Sequence, residues 1–354
     1  MTKDESLQLK GIAIMMMLWL HLFGTNIEIL EGCEKHIYLH DGTPIIYAMR
    51  KFGRMCVVLY TFLGGYGMYK VFQRSDAPGS GITSGMNNGR RILRLLTNYW
   101  IVFFIFLAVA TALNPQEYPG DTSKLLLNFA TLRCTYNSTL WFLLPYAILL
   151  LFATPIMRFV SSLKGCWLFI APVAAFAIKV GAYSTTIPAT GILNDIIINC
   201  INALNLFFMF FTGAIYARFD ILQKSTAHIK QCISGLSIAK KLHITPSVAC
   251  TLLLILLFFG RITQGASTLL DPIYLLAMIP LYLCIETPKR VKQTLGTLGS
   301  HSTNIWFLHE YILVLSGAAI TFFRYPILIF AVLTITCIGF SYIINSIAKK
   351  IIRH

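Results

Sequence analysis

The chain has 354 residues, of which 56% are hydrophobic and 12% charged, and its mean hydropathy is +0.69. Soluble domains carry about a quarter charged residues, so this composition excludes an ordinary water-soluble enzyme and points to a chain that lies in lipid. The formal charge of +15 would suit a nucleic-acid binder in a soluble protein. In a membrane protein Lys and Arg collect in cytoplasmic loops instead, and no nucleic-acid partner is expected.

Apolar windows fall at ten places: 8–25, 54–72, 93–113, 139–158, 166–183, 191–217, 246–263, 267–286, 303–323 and 326–347. Each can cross roughly 30 Å of hydrocarbon at about 1.5 Å per residue. They predict an all-α, polytopic membrane bundle of about ten transmembrane helices, one domain over 1–354 with no soluble appendage. An even number of crossings puts both termini on one side. With the N-terminus inside, 20 of the 29 Lys and Arg lie on the inner side and nine, including Lys51, Arg54, Lys179 and Arg261, on the outer side. That split gives N-in, C-in. The first window, Gly11 to Phe23, has no small-residue cleavage site after it and reads as a retained helix rather than a secretory signal.

Two inner segments are long enough to carry function. The stretch 73–92 contains Asp76-Ala-Pro-Gly-Ser-Gly and Gly85-Met-Asn-Asn-Gly89, both rich in turn formers. The stretch 218–245 is basic and predicts a short amphipathic surface helix, weakened by Gly235 and several Ser. The nine Cys form no CxxC pair and no Cys/His cluster at zinc spacing, so no metal is expected. Cys33 and Cys134, in outer loops, are expected to pair if the compartment is oxidising.

Three groups of residues carry chemistry. Lys10 and His21 are eleven residues apart on the first helix, which returns His21 to within roughly 20° of Lys10 and about 16 Å further along. An imidazole at that depth needs a partner or an aqueous cavity; the alternative is a neutral His bonded to a neighbouring helix, with Lys10 an interfacial anchor. Arg90, Arg91 and Arg94 open the third helix, a spacing that suits phosphate groups or, alternatively, lipid headgroups. The ninth window reads Ser300-His301-Ser302-Thr303-Asn304-Ile305-Trp306-Phe307-Leu308-His309-Glu310-Tyr311. Trp306 and His309 share a face there, whereas Glu310 points about 100° away. Trp141 and Phe142 open the fourth window, where a Trp serves by default as an interface anchor. The sequon at Asn137-Ser-Thr is discounted. No Walker A loop, dinucleotide fingerprint, GxSxG or HExxH is present.

In this order, the Lys10-to-His21 spacing, Arg91-x-x-Arg94, Trp141-Phe142 and Trp306-Phe-Leu-His309 resemble acyltransferase family 3, over essentially the whole chain. That resemblance implies a stand-alone enzyme of the bacterial cytoplasmic (inner) membrane. It would move an acyl group, usually acetyl, from cytoplasmic acyl-CoA to a hydroxyl of an envelope or exported glycan or glycolipid. His21 would be catalytic with Lys10 its partner; Arg90, Arg91 and Arg94 would handle CoA or substrate, and Trp141, Trp306, His309 and Glu310 would support. The competing readings are a transporter or glycan flippase, which the lack of paired broken helices disfavours, and a membrane sensor docking through 218–245. The acceptor, the acyl chain, the role of His21 as base or acyl carrier, and the oligomeric state are left open.

Overall fold

The long apolar runs fold as helices because a backbone in hydrocarbon must bond to itself. The computed structural model describes residues 1–75, 84–185, 187–265 and 267–352, and among these there is no strand. Helix α1 spans Lys3–Leu20 and opens with a capping box, in which Thr2 and Glu5 bond each other's backbone N–H. A single π-helical turn, His21–Thr25, continues it. Then come α2 (Met55–Ser75), α3 (Ser84–Leu113), α4 (Leu143–Leu151) and α5 (Ala153–Ser162), followed by α6 (Trp167–Ser184), α7 (Gly191–Arg218) and α8 (Ile221–Gly235). The chain ends with α9 (Pro246–Thr263), α10 (Asp271–Cys284), α11 (Lys289–Ser316) and α12 (Pro326–Ile352).

All ten apolar windows fall on helix, but they are not equal. Six helical segments among the described residues are long and apolar enough to cross a membrane, and a seventh if the pair α4 and α5, bent by 56°, is one span. Helix α10 is short, and α11 carries Lys289, Arg290, Lys292, His309 and Glu310 along with its apolar residues. The segment containing α2 is central, with 61% of its apolar stretch buried, whereas α9 is peripheral at 17%. Outward-facing Val173, Leu256, Phe104 and Ile335 are exposed apolar side chains of the kind that lipid covers.

Two glycine crossings draw the central helices together. A Cβ on Gly11 would lie 2.1 Å from the carbonyl oxygen of Leu295, and one on Gly299 would lie 1.9 Å from that of Leu7. Helices α1 and α11 therefore touch backbone to backbone. The same device joins α2 to α7, where Gly65 abuts the Phe210 carbonyl and Gly213 the Phe62 carbonyl. Without a hydrophobic drive between helices in lipid, such close approach supplies the packing.

Polar groups add the remaining ties. His301 Nδ1 lies 2.8 Å from Ser341 Oγ; Asn304 donates to Ser341 and to Asn345 Oδ1 at 2.9 Å, and Asn98 donates to Asn304 at 2.9 Å. This network fixes α11 to α12 and α3. Arg261, 0% exposed, donates twice to Asp271 Oδ1, at 2.8 and 2.6 Å, joining α9 to α10.

Several sequence expectations are corrected. Residues 76–83 lie outside the described residues, and with them the Asp76-to-Gly81 motif, but Gly85 to Gly89 is helical because α3 already begins at Ser84. Asn88 Nδ2, bonded 3.0 Å to Thr154 Oγ1, seats that first turn on α5. The basic stretch 218–245 does hold a helix, α8, which ends at Gly235. Cys33 and Cys134 are both free thiols. They belong to different assemblies: the residue after Cys33 bonds to the carbonyl of Arg324, whereas the one after Cys134 bonds to Asn128.

The α1–α11 crossing gives the first prediction. Gly299→Ala gains about 1 kcal/mol of helix propensity, yet its Cβ meets backbone that cannot rotate away, an overpacking worth about 1–3 kcal/mol or more. Gly296→Ala on the same helix meets nothing within 4 Å and keeps only the gain. Thermal unfolding of both variants in nanodiscs is expected to show Gly299→Ala destabilised and Gly296→Ala unchanged or stabilised; equal behaviour would mean that the helices do not touch there.

Candidate active site

Register follows from the crossing. Counting ten residues on from Gly11 reaches His21, and ten on from Gly299 reaches His309, so two helices in contact at the glycines and running the same way bring these imidazoles together. Their ring centroids are 5.0 Å apart. His309 is fully buried, and its Nδ1 lies 2.8 Å from the Trp306 carbonyl oxygen. A carbonyl only accepts, so Nδ1 carries the proton and Nε2 presents a lone pair. That Nε2 is buried without a hydrogen-bond partner. His21 itself sits on the π turn, an insertion that frequently marks functional positions.

Glu310 joins them. Nitrogens of the two histidines and a Glu310 carboxylate oxygen all lie within 4.8 Å of one another, which corrects the expectation that Glu310 points away. A 100° step is the displacement of one residue around a helix, and the carboxylate on its two-methylene stem reaches back across it. Among the described residues this is the one grouping that could hold a metal ion. The edge of a tetrahedral zinc shell is roughly 3.3 Å, whereas these atoms are bounded only at 4.8 Å and His309 Nε2 is unbonded, so the grouping is a set of close but unjoined polar groups.

The grouping borders a cavity of about 600 Å³, within the size range of small-molecule sites. Lys10 and His21 both line it, as their spacing on α1 anticipates. Tyr60 on α2 also lines it and donates to the Lys10 carbonyl at 3.2 Å. The fourth window enters as a 3₁₀ turn, Ser138–Phe142, whose Thr139, Trp141 and Phe142 all face the cavity. Trp306 pins this turn: its indole N–H donates to the Thr139 carbonyl at 3.0 Å, and its ring meets Phe142 edge-on at 5.4 Å. Asn137, 1% exposed, accepts from Thr139 and donates to the Phe307 carbonyl. The sequon asparagine is a buried clasp between this turn and α11.

The arginines stand apart. Arg90 and Arg94 are exposed, while Arg91 is half-buried with its guanidinium against Met68 Sδ. None of the three lines the large cavity; Arg91 borders a pocket of about 10 Å³ beside Phe72 and Met157, too small for a ligand. They also do not open α3, which starts six residues before Arg90, beyond the first turn over which a helix dipole acts.

Several polar lining residues were not site candidates in the sequence, Arg54, Lys179, Asn205 and Asp271 among them. Arg54 and Lys179 look like ordinary outer-loop charges, and Asn205 is one polar residue in an apolar run. Only the fold, which draws together the start of α2 with α6, α7 and α10, brings all four to the lining of one cavity. The one local signal was an ionisable residue inside or at the edge of an apolar window.

A family model described as an acyltransferase domain, that of acyltransferase family 3, matches residues 7–346. No similar curated protein and no similar solved structure was found. The match covers α1 through nearly all of α12, including the His21–His309–Glu310 grouping and the cavity beside it. The chain thus belongs to acyltransferase family 3 and is a multi-pass membrane acyltransferase.

Proposed function

We propose that the protein is an O-acetyltransferase of a bacterial cytoplasmic membrane, moving acetyl from cytoplasmic acetyl-CoA to a hydroxyl of an envelope or exported polysaccharide or glycolipid. The observation that carries this reading is the position of His21, on a cavity wall with Lys10 on its own helix and the His309–Glu310 pair behind it. If the termini lie inside, as the charge split predicts, Lys10 marks the cytoplasmic end and His21 lies about 16 Å inward. A pantetheine arm spans such a distance, so a thioester entering past Lys10 reaches the imidazole.

The chemistry is a direct transfer. The acceptor hydroxyl gives its proton to a ring nitrogen of His21 as its oxygen attacks the thioester carbon. The tetrahedral intermediate collapses, the C–S bond breaks, and the imidazolium returns the proton to the departing thiolate. Glu310 faces the imidazolium that forms in between, and an N–H of neutral His21 turned toward Glu310 or the His309 lone pair leaves the other nitrogen basic. Arg90, Arg91 and Arg94, beside the inner end, would take the CoA phosphates as charge-assisted donors. A flippase or transporter would have no reason to turn over acetyl-CoA, and that separates the classes.

Replacing His21 by Ala is expected to lower transfer by at least the roughly 10²- to 10⁴-fold typical of a general base, with the amount of folded protein in the membrane unchanged. Gln, which cannot take a proton at neutral pH, should be just as inactive; an active Gln variant would make His21 structural. Separately, Arg91→Gln and Arg94→Gln should each weaken acetyl-CoA binding by about 1.5–3 kcal/mol, with Lys restoring only part of it because the fork is lost. Unchanged affinity, measured by equilibrium binding in nanodiscs, would assign these arginines to lipid headgroups.

A further inference from the structure

Three electron-pair donors gather beside the cavity, and none of them is bonded. A nitrogen of His21, a nitrogen of His309 and a Glu310 carboxylate oxygen all lie within 4.8 Å of one another. His309 is fully buried, and its Nε2 has no hydrogen-bond partner. Among the described residues, no hydrogen bond or ion pair engages the His21 ring or the Glu310 carboxylate either. Buried polar atoms are normally bonded, and ionisable side chains within a membrane helix are costly unless something meets them. His301, on the same helix, shows the ordinary arrangement, with its Nδ1 bonded to Ser341 Oγ at 2.8 Å.

His309 is held as metal-ligating histidines are held. Its Nδ1–H meets the Trp306 carbonyl at 2.8 Å and the Ile305 carbonyl at 3.3 Å, which fixes the ring and leaves Nε2 as its one free lone pair. Trp306 is in turn tied through its indole to the Thr139 carbonyl, so the support reaches into the 3₁₀ turn. His21 supplies the second imidazole from α1 and lines the cavity, which leaves one side of the group open to water or a small ligand. Two imidazoles, one carboxylate and an open fourth position make up the donor set of catalytic-type zinc sites. Closing the donors from 4.8 Å to a tetrahedral edge of roughly 3.3 Å asks at most about 1.5 Å of any pair, a change that side-chain torsions of His21 and Glu310 supply while His309 stays fixed. No ligand spacing announces the set in the sequence, because His21 comes from the first helix and the other two from α11.

We infer that His21, His309 through Nε2, and Glu310 bind a divalent transition-metal ion of the zinc class, and that the bound ion silences the His21 imidazole. Two neutral imidazoles with one carboxylate select such an ion over Mg²⁺ and Ca²⁺, which take oxygen ligands. A lone pair given to a metal is not available to take a proton, so the ion occupies the base that direct transfer requires. The binding site rests on the geometry alone, whereas its inhibitory effect rests on the acyl-transfer reading.

The test uses the purified full chain in phosphatidylcholine nanodiscs, cleared of metal and titrated with zinc against a chromophoric chelator. Cobalt(II) serves as a second probe, since its visible absorption reports a four-coordinate site and a thiolate band would betray a cysteine ligand. Cys232 Sγ and His228 Nε2, 3.4 Å apart on the exposed face of α8, also attract zinc, so every protein carries Cys232→Ser. One equivalent of zinc per chain is expected to bind and to raise the unfolding temperature. His309→Asn keeps a donor toward the Trp306 carbonyl but removes Nε2, and should weaken binding by at least about 10²-fold, the upper end of what disturbing a ligand's support costs. Glu310→Gln should weaken it by about tenfold or more, and decides the matter if the Asn variant fails to fold. No zinc bound by the parent, a cobalt thiolate band, or equal binding in the variants, meaning an adventitious ion only, would overturn the site. Saturating zinc should also suppress acetyl-ester formation from acetyl-CoA on n-octyl glucoside, reversibly with EDTA; undiminished transfer with zinc bound would remove His21 from the ligand set. A chain that binds zinc and transfers nothing keeps the site and tells against the acyl-transfer reading, and transfer by a chain that binds no zinc does the reverse.

Discussion

Everything at the candidate active site depends on how closely α1 and α11 approach. Gly11 and Gly299 let the two backbones meet at a separation no side chain permits, and lipid offers no hydrophobic substitute for that packing. Because both helices run the same way, equal counts from the crossing set His21 beside His309 and bring Glu310 into the same group. The cavity wall follows from the same contact, since Lys10 neighbours Gly11 and Trp306 lies between Gly299 and His309 in register. A few ångströms of separation would dissolve the grouping while leaving every helix intact.

Polar groups inside the bundle sort into two kinds. His301, Asn98, Asn304, Ser341 and Asn345 bond one another and hold three helices in place. Arg261 and Asp271 likewise satisfy each other. His309 Nε2 and Asn205 Oδ1 do not: each is buried and unbonded, one within the His21 grouping and the other on the cavity wall. An unsatisfied polar atom destabilises a fold by about 1–3 kcal/mol, and departures from local satisfaction collect at functional sites. The contrast between bonded and unbonded polar atoms, rather than the presence of histidines, marks where a substrate belongs.

The sequence made the helical class and the Lys10–His21 face legible because both depend on short-range periodicity. Trp306 and His309 were legible on the same ground, although they divide their work: Trp306 clasps the 3₁₀ turn, and His309 faces His21. Glu310 was misplaced because helical angle alone ignores the reach of its side chain. The turn formers at Gly85 to Gly89 misled because α3 starts earlier than its apolar part. Arg54, Lys179 and Asp271 lie between 92 and 217 residues apart in sequence, and no local pattern couples them. Their meeting is a property of tertiary packing, as is the burial of Asn137 beneath a motif that reads as a surface sequon.

Acyl transfer as proposed requires donor and acceptor to meet at His21 within one cavity. The most direct measurement is a density map of the protein in nanodiscs with a non-transferable acetyl-CoA analogue whose thioester sulfur is replaced by methylene. The pantetheine arm is expected to enter past Lys10, with the acyl carbonyl carbon within roughly 4 Å of a His21 ring nitrogen, the reach of a reacting pair once an acceptor oxygen approaches. An analogue seated elsewhere, with the cavity beside His21 filled by lipid, would contradict it.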